Sequence, residues 1–182
     1  MSARRQRQMC IRDSPIGDNN DMLRQKMPEF NFADPIMDAT DLNKTLINTM
    51  KDEKGVGLAA NQLGIATRAF AIHTEPPEVL FNPVITFASD EEVLMDEGCL
   101  SYPGVYVKVK RPKDIRVRYK NLHGAICTKR YSGLAARCVQ HEIDHLDGIE
   151  YFKRAHPIHQ ERFKKKWTKM TRLLKKAAKL AK

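Results

Sequence analysis

His141 and His145 stand four residues apart with Glu142 between them, in the run Gln140-His141-Glu142-Ile143-Asp144-His145-Leu146-Asp147-Gly148. On a helix this spacing stacks both imidazoles on one face, one turn apart. Two imidazoles so placed can share a metal ion, and the carboxylate beside them can carry a proton. The H-E-x-x-H pattern is short, and a pair of structural histidines would read the same way. The flanks support a helix: Ser132 can cap its start, Leu134, Ala135, Ala136 and Val139 supply helix formers and apolar surface, and Gly148 is a C-terminal stop. A catalytic metal usually takes a third protein ligand and keeps one position open.

That third ligand must come from another element. Cys138 lies on the same helical face, but it is seven residues from His145, about 10 Å along a helix axis. Two ligands of one ion lie no more than about 4.5 Å apart, so a straight helix cannot offer all three. Cys127 falls in the middle of a strand pattern. Cys99, in Glu97-Gly98-Cys99-Leu100-Ser101, is flanked by a glycine and a turn that can aim it. A lone cysteine is more often a small buried hydrophobe, and the histidine pair is what argues otherwise. A second stretch, Gly55-Val56-Gly57-Leu58-Ala59-Ala60-Asn61-Gln62, carries little side-chain bulk, so its backbone can approach a ligand closely. It reads as a tight helix-to-strand connection, not a dinucleotide fingerprint, because the third glycine and a preceding strand are missing. Gln62 offers a neutral amide donor for a developing oxyanion if it faces a site.

The elements that must position these residues follow from periodicity. Leu42, Leu46, Ile47 and Met50 recur at helical spacing over residues 39–53, with Thr40 or Asp41 as the cap. Strand patterns cover 69–73, 79–87 (with Pro83 marking an edge or bulge), 105–109, 115–119 and 125–131, and Asn121-Leu122-His123-Gly124 is a hairpin turn. A helix, several antiparallel strands and then helices make an α+β fold. At 182 residues the chain is one domain with a short appendage. No apolar run is long enough to span a membrane, and no apolar signal core follows the basic N-terminus. Four scattered cysteines suit a reducing compartment. The net charge of +10 sits at the ends: residues 159–182 hold ten Lys/Arg against one Glu, and residues 1–13 hold four Arg against one Asp. Residues 1–13 show no period and read as a non-native or disordered leader.

The stretches 55–62, 97–101 and 140–148 resemble, in order, the three motifs of peptide deformylases, and the resemblance spans about residues 15–155. It departs at the N-terminus, where the family usually has a short strand. It implies antiparallel sheets around a central metal-binding helix, followed by a C-terminal helix, with 14–156 as the catalytic domain. It implies that Cys99, His141 and His145 hold one divalent ion, Fe2+ in preference to Zn2+, Ni2+ or Co2+. A metal-activated hydroxide would attack the formyl carbonyl of an N-formylmethionyl nascent peptide, and formate would leave. Glu142 would be the general base, Gln62 and the Leu100 backbone N–H would stabilise the oxyanion, and Val56, Gly57, Gly98, Leu134 and Cys138 would contact the substrate. The expected setting is the cytoplasm of a bacterial or phage-infected cell, and the expected state a monomer.

Two other readings use the same residues. An H-E-x-x-H peptidase would draw its third ligand from Glu150, His156 or His159, although no second motif frames them. A basic nucleic-acid-binding module would make the histidines structural. The tail, 157–182, reads as an amphipathic helix opened by Pro157, with Phe163, Trp167, Met170, Leu174, Ala177 or Ala178, and Ala181 on one stripe and lysines elsewhere. Since formylmethionine is met on nascent chains, the expected partner of this helix is the ribosomal RNA surface, with no membrane role. Deleting residues 164–182 is then expected to leave short-peptide hydrolysis nearly unchanged.

Overall fold

The computed structural model describes residues 21–180; the leader at 1–13 and the region of the family's first strand lie outside them. Helix α1, Ala39–Asp52, buries Leu42, Leu46 and Met50, one residue per turn on one face. Its cap is Asp38, and neither Thr40 nor Asp41 fills that role. The Asp38 backbone is non-helical, and its carboxylate accepts from the Thr40 N–H at 2.8 Å and the Asp41 N–H at 3.2 Å. Thr40 and Asp41 are the donors that such a cap satisfies.

Strands β1 (Gly57–Ala59), β2 (Ala69–Ile72), β3 (Glu78–Ala88), β6 (Asp114–Lys120) and β7 (Ile126–Ser132) form one antiparallel sheet in the order β1-β2-β3-β6-β7. Strands β4 (Glu92–Cys99) and β5 (Tyr102–Pro112) form a separate two-stranded hairpin. The stretch expected as a connection is therefore an edge strand, β1, followed by a short 3-10 turn, Ala60–Leu63. Strand β5 is longer than its apolar pattern suggested, and β4 had no strand pattern at all. Pro83 does mark a bulge: the β3–β6 register shifts between Phe81 and Val84. Beside it the Asn82 side chain bonds both the N–H and the C=O of Phe30, at 2.7 and 2.9 Å.

Alternation along the strands sends side chains to opposite faces of the sheet. Ala69, Ala71, Val79 and Phe81 pack under α1, whereas Phe70, Ile72, Leu80, Ile115 and Val117 pack under helix α2, Gly133–Leu146. The β4–β5 hairpin borders the other side of α2. Beyond it, Tyr102, Val105, Val107 and Val109 join Tyr151, Phe163 and Trp167 in a third core beneath helix α3, Pro157–Leu180. The first half of α3 is thus part of the domain and not an appendage. Phe163 is 3% and Trp167 7% exposed, so removing residues 164–182 would open a core as well as discard charge. Among its later residues Leu173 is exposed, and the lysines at 164, 165, 166 and 169 face solvent.

Helix α2 ends where expected. Gly148 adopts φ +71°, and a Cβ there would lie 2.7 Å from the Arg24 carbonyl carbon, so both conformation and space require glycine. Its start differs from expectation. Ser132 occupies the cap position without a side-chain cap bond, because its hydroxyl meets the Asp114 carboxylate instead.

Candidate metal centre

The central helix carries its polar residues inward. Arg137, Gln140, His141, Glu142, Asp144 and His145 are all buried, on a helix whose remaining buried positions are Ala136, Cys138, Val139, Ile143 and Leu146. Buried ionisable groups need partners. The hairpin supplies most of them.

Cys99 ends β4, just where the pairing register shifts after Glu97. Its Sγ lies 3.1 Å from Nε2 of His145, and among the described residues Cys99, His141 and His145 form one group whose ligand atoms all lie within 4.8 Å of one another. His141 Nδ1 is 3.3 Å from Glu97 Oε2. A proton placed on Nδ1 and given to that carboxylate leaves Nε2 with a free lone pair for an ion. Cys138, by contrast, turns its thiol to the Val56 carbonyl at 3.2 Å. Glu150 is engaged with Tyr102, Arg24 and Lys153, away from this group.

Glu142 lies beside the three donors, 4% exposed, and its Oε2 is buried without a protein partner. Gly57 explains part of this close fit, since a Cβ there would collide with the Glu142 carboxylate and would lie 2.7 Å from Cys138 Sγ. Gln62 is fixed at both ends of its amide: Oε1 accepts from the Ala59 N–H at 2.8 Å, and Nε2 donates to Ser101 Oγ at 3.0 Å while lying 3.7 Å from Cys99 Sγ. The amide donor therefore faces the cysteine. Asn61, one residue earlier, donates to the His145 carbonyl at 2.6 Å and ties the β1 region to α2.

Beneath the ligands runs a chain of alternating charge. Arg111 on β5 grips Glu97 with two bonds, at 2.7 and 2.9 Å, and reaches Asp144 at 2.7 Å. Asp144 in turn is held by Arg154 at 2.6 Å. Arg137 on α2 completes the group, donating to Glu97 at 2.5 Å and to the backbone carbonyls of Val93 and Val109. None of these arginines carries a recognisable sequence signal. An arginine on a strand or helix ordinarily reads as a solvent-facing charge.

The electrostatics follow from burial and partners. Burial pushes the Glu97 carboxyl up, but hydrogen bonds from His141 and Arg111 outweigh it and hold the group at about 2. Burial raises Glu142 to about 7, with the His141 and His145 charges opposing it. For Cys99 burial again favours the neutral thiol, yet the His145 charge and the hydrogen bonds from both histidines draw it well below its ordinary value. Cys138 moves the other way, raised by burial and by the Glu142 charge. The two cysteines nearest the site are thus drawn in opposite directions, Cys99 towards the thiolate and Cys138 towards the thiol.

A soft thiolate, two imidazoles of which one is oriented by a carboxylate, and an unpartnered carboxylate beside them fit a divalent ion. They open into a cleft of about 530 Å³ whose walls include Val56, Gly57, Gln62, Gly98, Leu100, Leu134 and Cys138. The structure therefore brings all the sequence-identified residues to one cleft, with His145 just behind its wall. Leu134 and Val56 are exposed at its mouth, and Gly98 lies against the Tyr106 ring.

Residues 16–161 match the family described as polypeptide deformylase. The peptide deformylase of Wolbachia pipientis from Culex pipiens is 38% identical over 158 residues, which cover 77% of this chain and 88% of that protein. The peptide deformylase of Pseudothermotoga lettingae is 40% identical over 128 residues, 70% of this chain and 74% of that protein. Among solved structures, the peptide deformylase of Thermus thermophilus superposes with a TM-score of 0.79 at 36% identity, covering 88% of this chain and 96% of that one.

Proposed function

Because the chain belongs to the peptide deformylase family, we propose that it removes the N-formyl group from the formylmethionine that begins newly made chains, releasing formate. The observation that carries this reading is the convergence of the Cys99, His141 and His145 ligand atoms within 4.8 Å of one another, beside the unpartnered Oε2 of Glu142, at an open cleft lined by Cys99, His141 and Glu142. Cys99, His141 and His145 would hold the ion, with Fe2+ preferred and Zn2+, Ni2+ or Co2+ as substitutes. Bound there, a divalent ion supplies Lewis acidity, bringing the pKa of water at the site towards neutrality.

The remaining work belongs to the chain. Glu142, desolvated to about 7, accepts a proton from water and returns it to the departing amine, a role that needs a carboxylate able to hold either state near neutral pH. Gln62 Nε2, locked by Ala59 and Ser101, and the Leu100 backbone N–H donate to the oxyanion that develops on the formyl oxygen. Fixing the amide in advance means that no reorganisation accompanies charge development. Val56, Gly57 and Gly98 accept the extended substrate backbone, and Leu134 and Cys138 contact the methionine side chain. The fold of the Glu97 network holds His141 for its part.

Helix α3 supports the nascent-chain reading. Its apolar stripe is spent on the third core, while Lys164, Lys165, Lys169 and Arg172 all face outward. That face would dock on ribosomal RNA as a monomer in the cytoplasm, where formylated chains emerge. Among the described residues no helix is long and apolar enough to cross a membrane.

The test is formate release from a short formyl-Met peptide together with alkylation mapping of each cysteine. Ion-loaded protein should release formate and shield Cys99; chelation should stop the release and expose it. Loaded protein that releases no formate, with Cys99 alkylated equally with and without ion, would overturn the reading.

A further inference from the structure

Strand β4 carries one of the three ligands, yet almost nothing apolar holds it in place. Along Glu92–Cys99 the only buried side chain is that of Glu97, 5% exposed; Leu94 is 57% and Met95 38% exposed. A strand fixed by its ladder to β5 alone would still need something to set its distance from α2, where the two histidines sit. Arg137 spans that gap. It leaves α2 one turn before His141, is itself 5% exposed, and donates to Glu97, to the Val93 carbonyl and to the Val109 carbonyl. Two of these acceptors belong to β4 and one to β5.

We infer that Arg137 is a positioning residue that fixes the thiolate-bearing strand against the histidine-bearing helix, and so pre-arranges all three ligands before an ion arrives. It acts through two links. By pinning Glu97, it steadies the carboxylate that orients His141 Nδ1, and by pinning Val93 and Val109 it sets the approach of the strand that ends at Cys99. Arg111 also grips Glu97 and reaches Asp144 on α2, but it starts from β5; Arg137 starts from α2 itself, one turn before His141, and bonds both strands of the hairpin. Only a planar guanidinium can serve three acceptors of this arrangement at once; a lysine ammonium has the charge without the fork.

This inference rests on the metal-site reading above. Its test is a Co2+ titration of the full chain against a competing chelator, following the thiolate-to-cobalt absorption band, with the melting temperature of the ion-free protein measured in parallel. Arg137→Gln should weaken Co2+ binding by about 10–100-fold, the usual cost of losing an outer support of a ligand, and should dim the thiolate band. Arg137→Lys should fall between. Arg154→Gln, at the distant and half-exposed end of the same charge chain, should shift melting while leaving Co2+ affinity within about twofold. If Arg137→Gln melts lower but binds Co2+ with wild-type affinity and absorption, Arg137 serves stability alone and the inference is wrong. Should Arg137→Gln not fold, Arg137→Lys decides by the same criterion. A wild-type protein with no thiolate–cobalt band would instead overturn the metal-site reading, and Arg137's role with it.

Discussion

The two strands of the β4–β5 hairpin run side by side and are held to the molecule by opposite means. Strand β5 buries Tyr102, Val105, Val107 and Val109 against Tyr151, Phe163 and Trp167, an ordinary apolar core. Strand β4 buries Glu97 and is held by arginines. The difference teaches why a ligand-bearing strand at a cleft edge is built this way. Apolar burial is non-directional and roughly proportional to area. Charged hydrogen bonds fix angle and distance, and a paired guanidinium and carboxylate can sit next to a polar cleft without drying it. One strand supplies stability and the other supplies geometry.

The largest expected effect tests whether chemistry belongs to the charged side. Glu142→Ala should lower kcat by about 10²–10⁴-fold, the usual worth of a general base, with ion content and fold retained. Stability should not fall, because the variant removes a buried carboxylate that has no partner for Oε2. Steady-state formate release and metal analysis check it, and a rate within tenfold of wild type would mean that proton transfer is carried elsewhere.

Next in size is the apolar side. Trp167→Ala should cost about 3–5 kcal/mol in denaturant unfolding, the typical loss for a large buried aromatic. At temperatures where the variant is folded, ion affinity should change far less than stability. Cys99 packs against this core and the His141 ring lies 5.6 Å from that of Tyr151, but the Glu97 carboxylate that orients His141 is held by Arg111 and Arg137. A parallel loss of ion affinity in folded protein would erase the distinction between the two strands.

The smallest effect separates the two faces of α3. Replacing Lys164, Lys165, Lys169 and Arg172 with Gln should change short-peptide turnover by less than about twofold and stability by no more than roughly 0.5 kcal/mol per site, as for exposed positions generally. The same variant should lose its co-sedimentation with ribosomes, which in the unmodified protein should weaken steeply as salt rises. Binding that persists in the variant, or that ignores salt, would show the basic face to be merely a solvated surface. Substitution is a cleaner test than truncation, because Trp167 lies within the deleted stretch.

Much of the molecule was legible in the chain. Helices α1, α2 and α3 each bury residues spaced at three and four, and β2, β3, β6 and β7 carry apolar runs or alternation that periodicity detects. The candidate ligand group was legible too, because His141 and His145 declare their shared face by spacing, and because a distance argument alone separates Cys138 from His145. What escaped were the elements whose buried positions are polar. Strand β4 leaves Leu94 and Met95 exposed and buries Glu97, a carboxylate where the period requires an apolar residue, so no strand signal forms. The cap of α1 was placed two or three residues late, since Asp38, Thr40 and Asp41 all have capping side chains and only the backbone conformation selects among them.

The sequence by itself determined the donor types, their order and the helical face that pairs the histidines, because these depend on residue identity and on the local 3.6-residue repeat. Only the tertiary structure decided that Glu97 orients His141, that Arg111 and Arg137 hold Glu97, and that Gln62 points its amide nitrogen towards Cys99. These contacts join residues between 14 and 44 positions apart. They are hydrogen bonds of charged and amide groups whose sequence context is that of any surface residue. An arginine becomes a structural fork only when folding removes its water and leaves a carboxylate within reach, and that is a property of the packed interior, not of the chain.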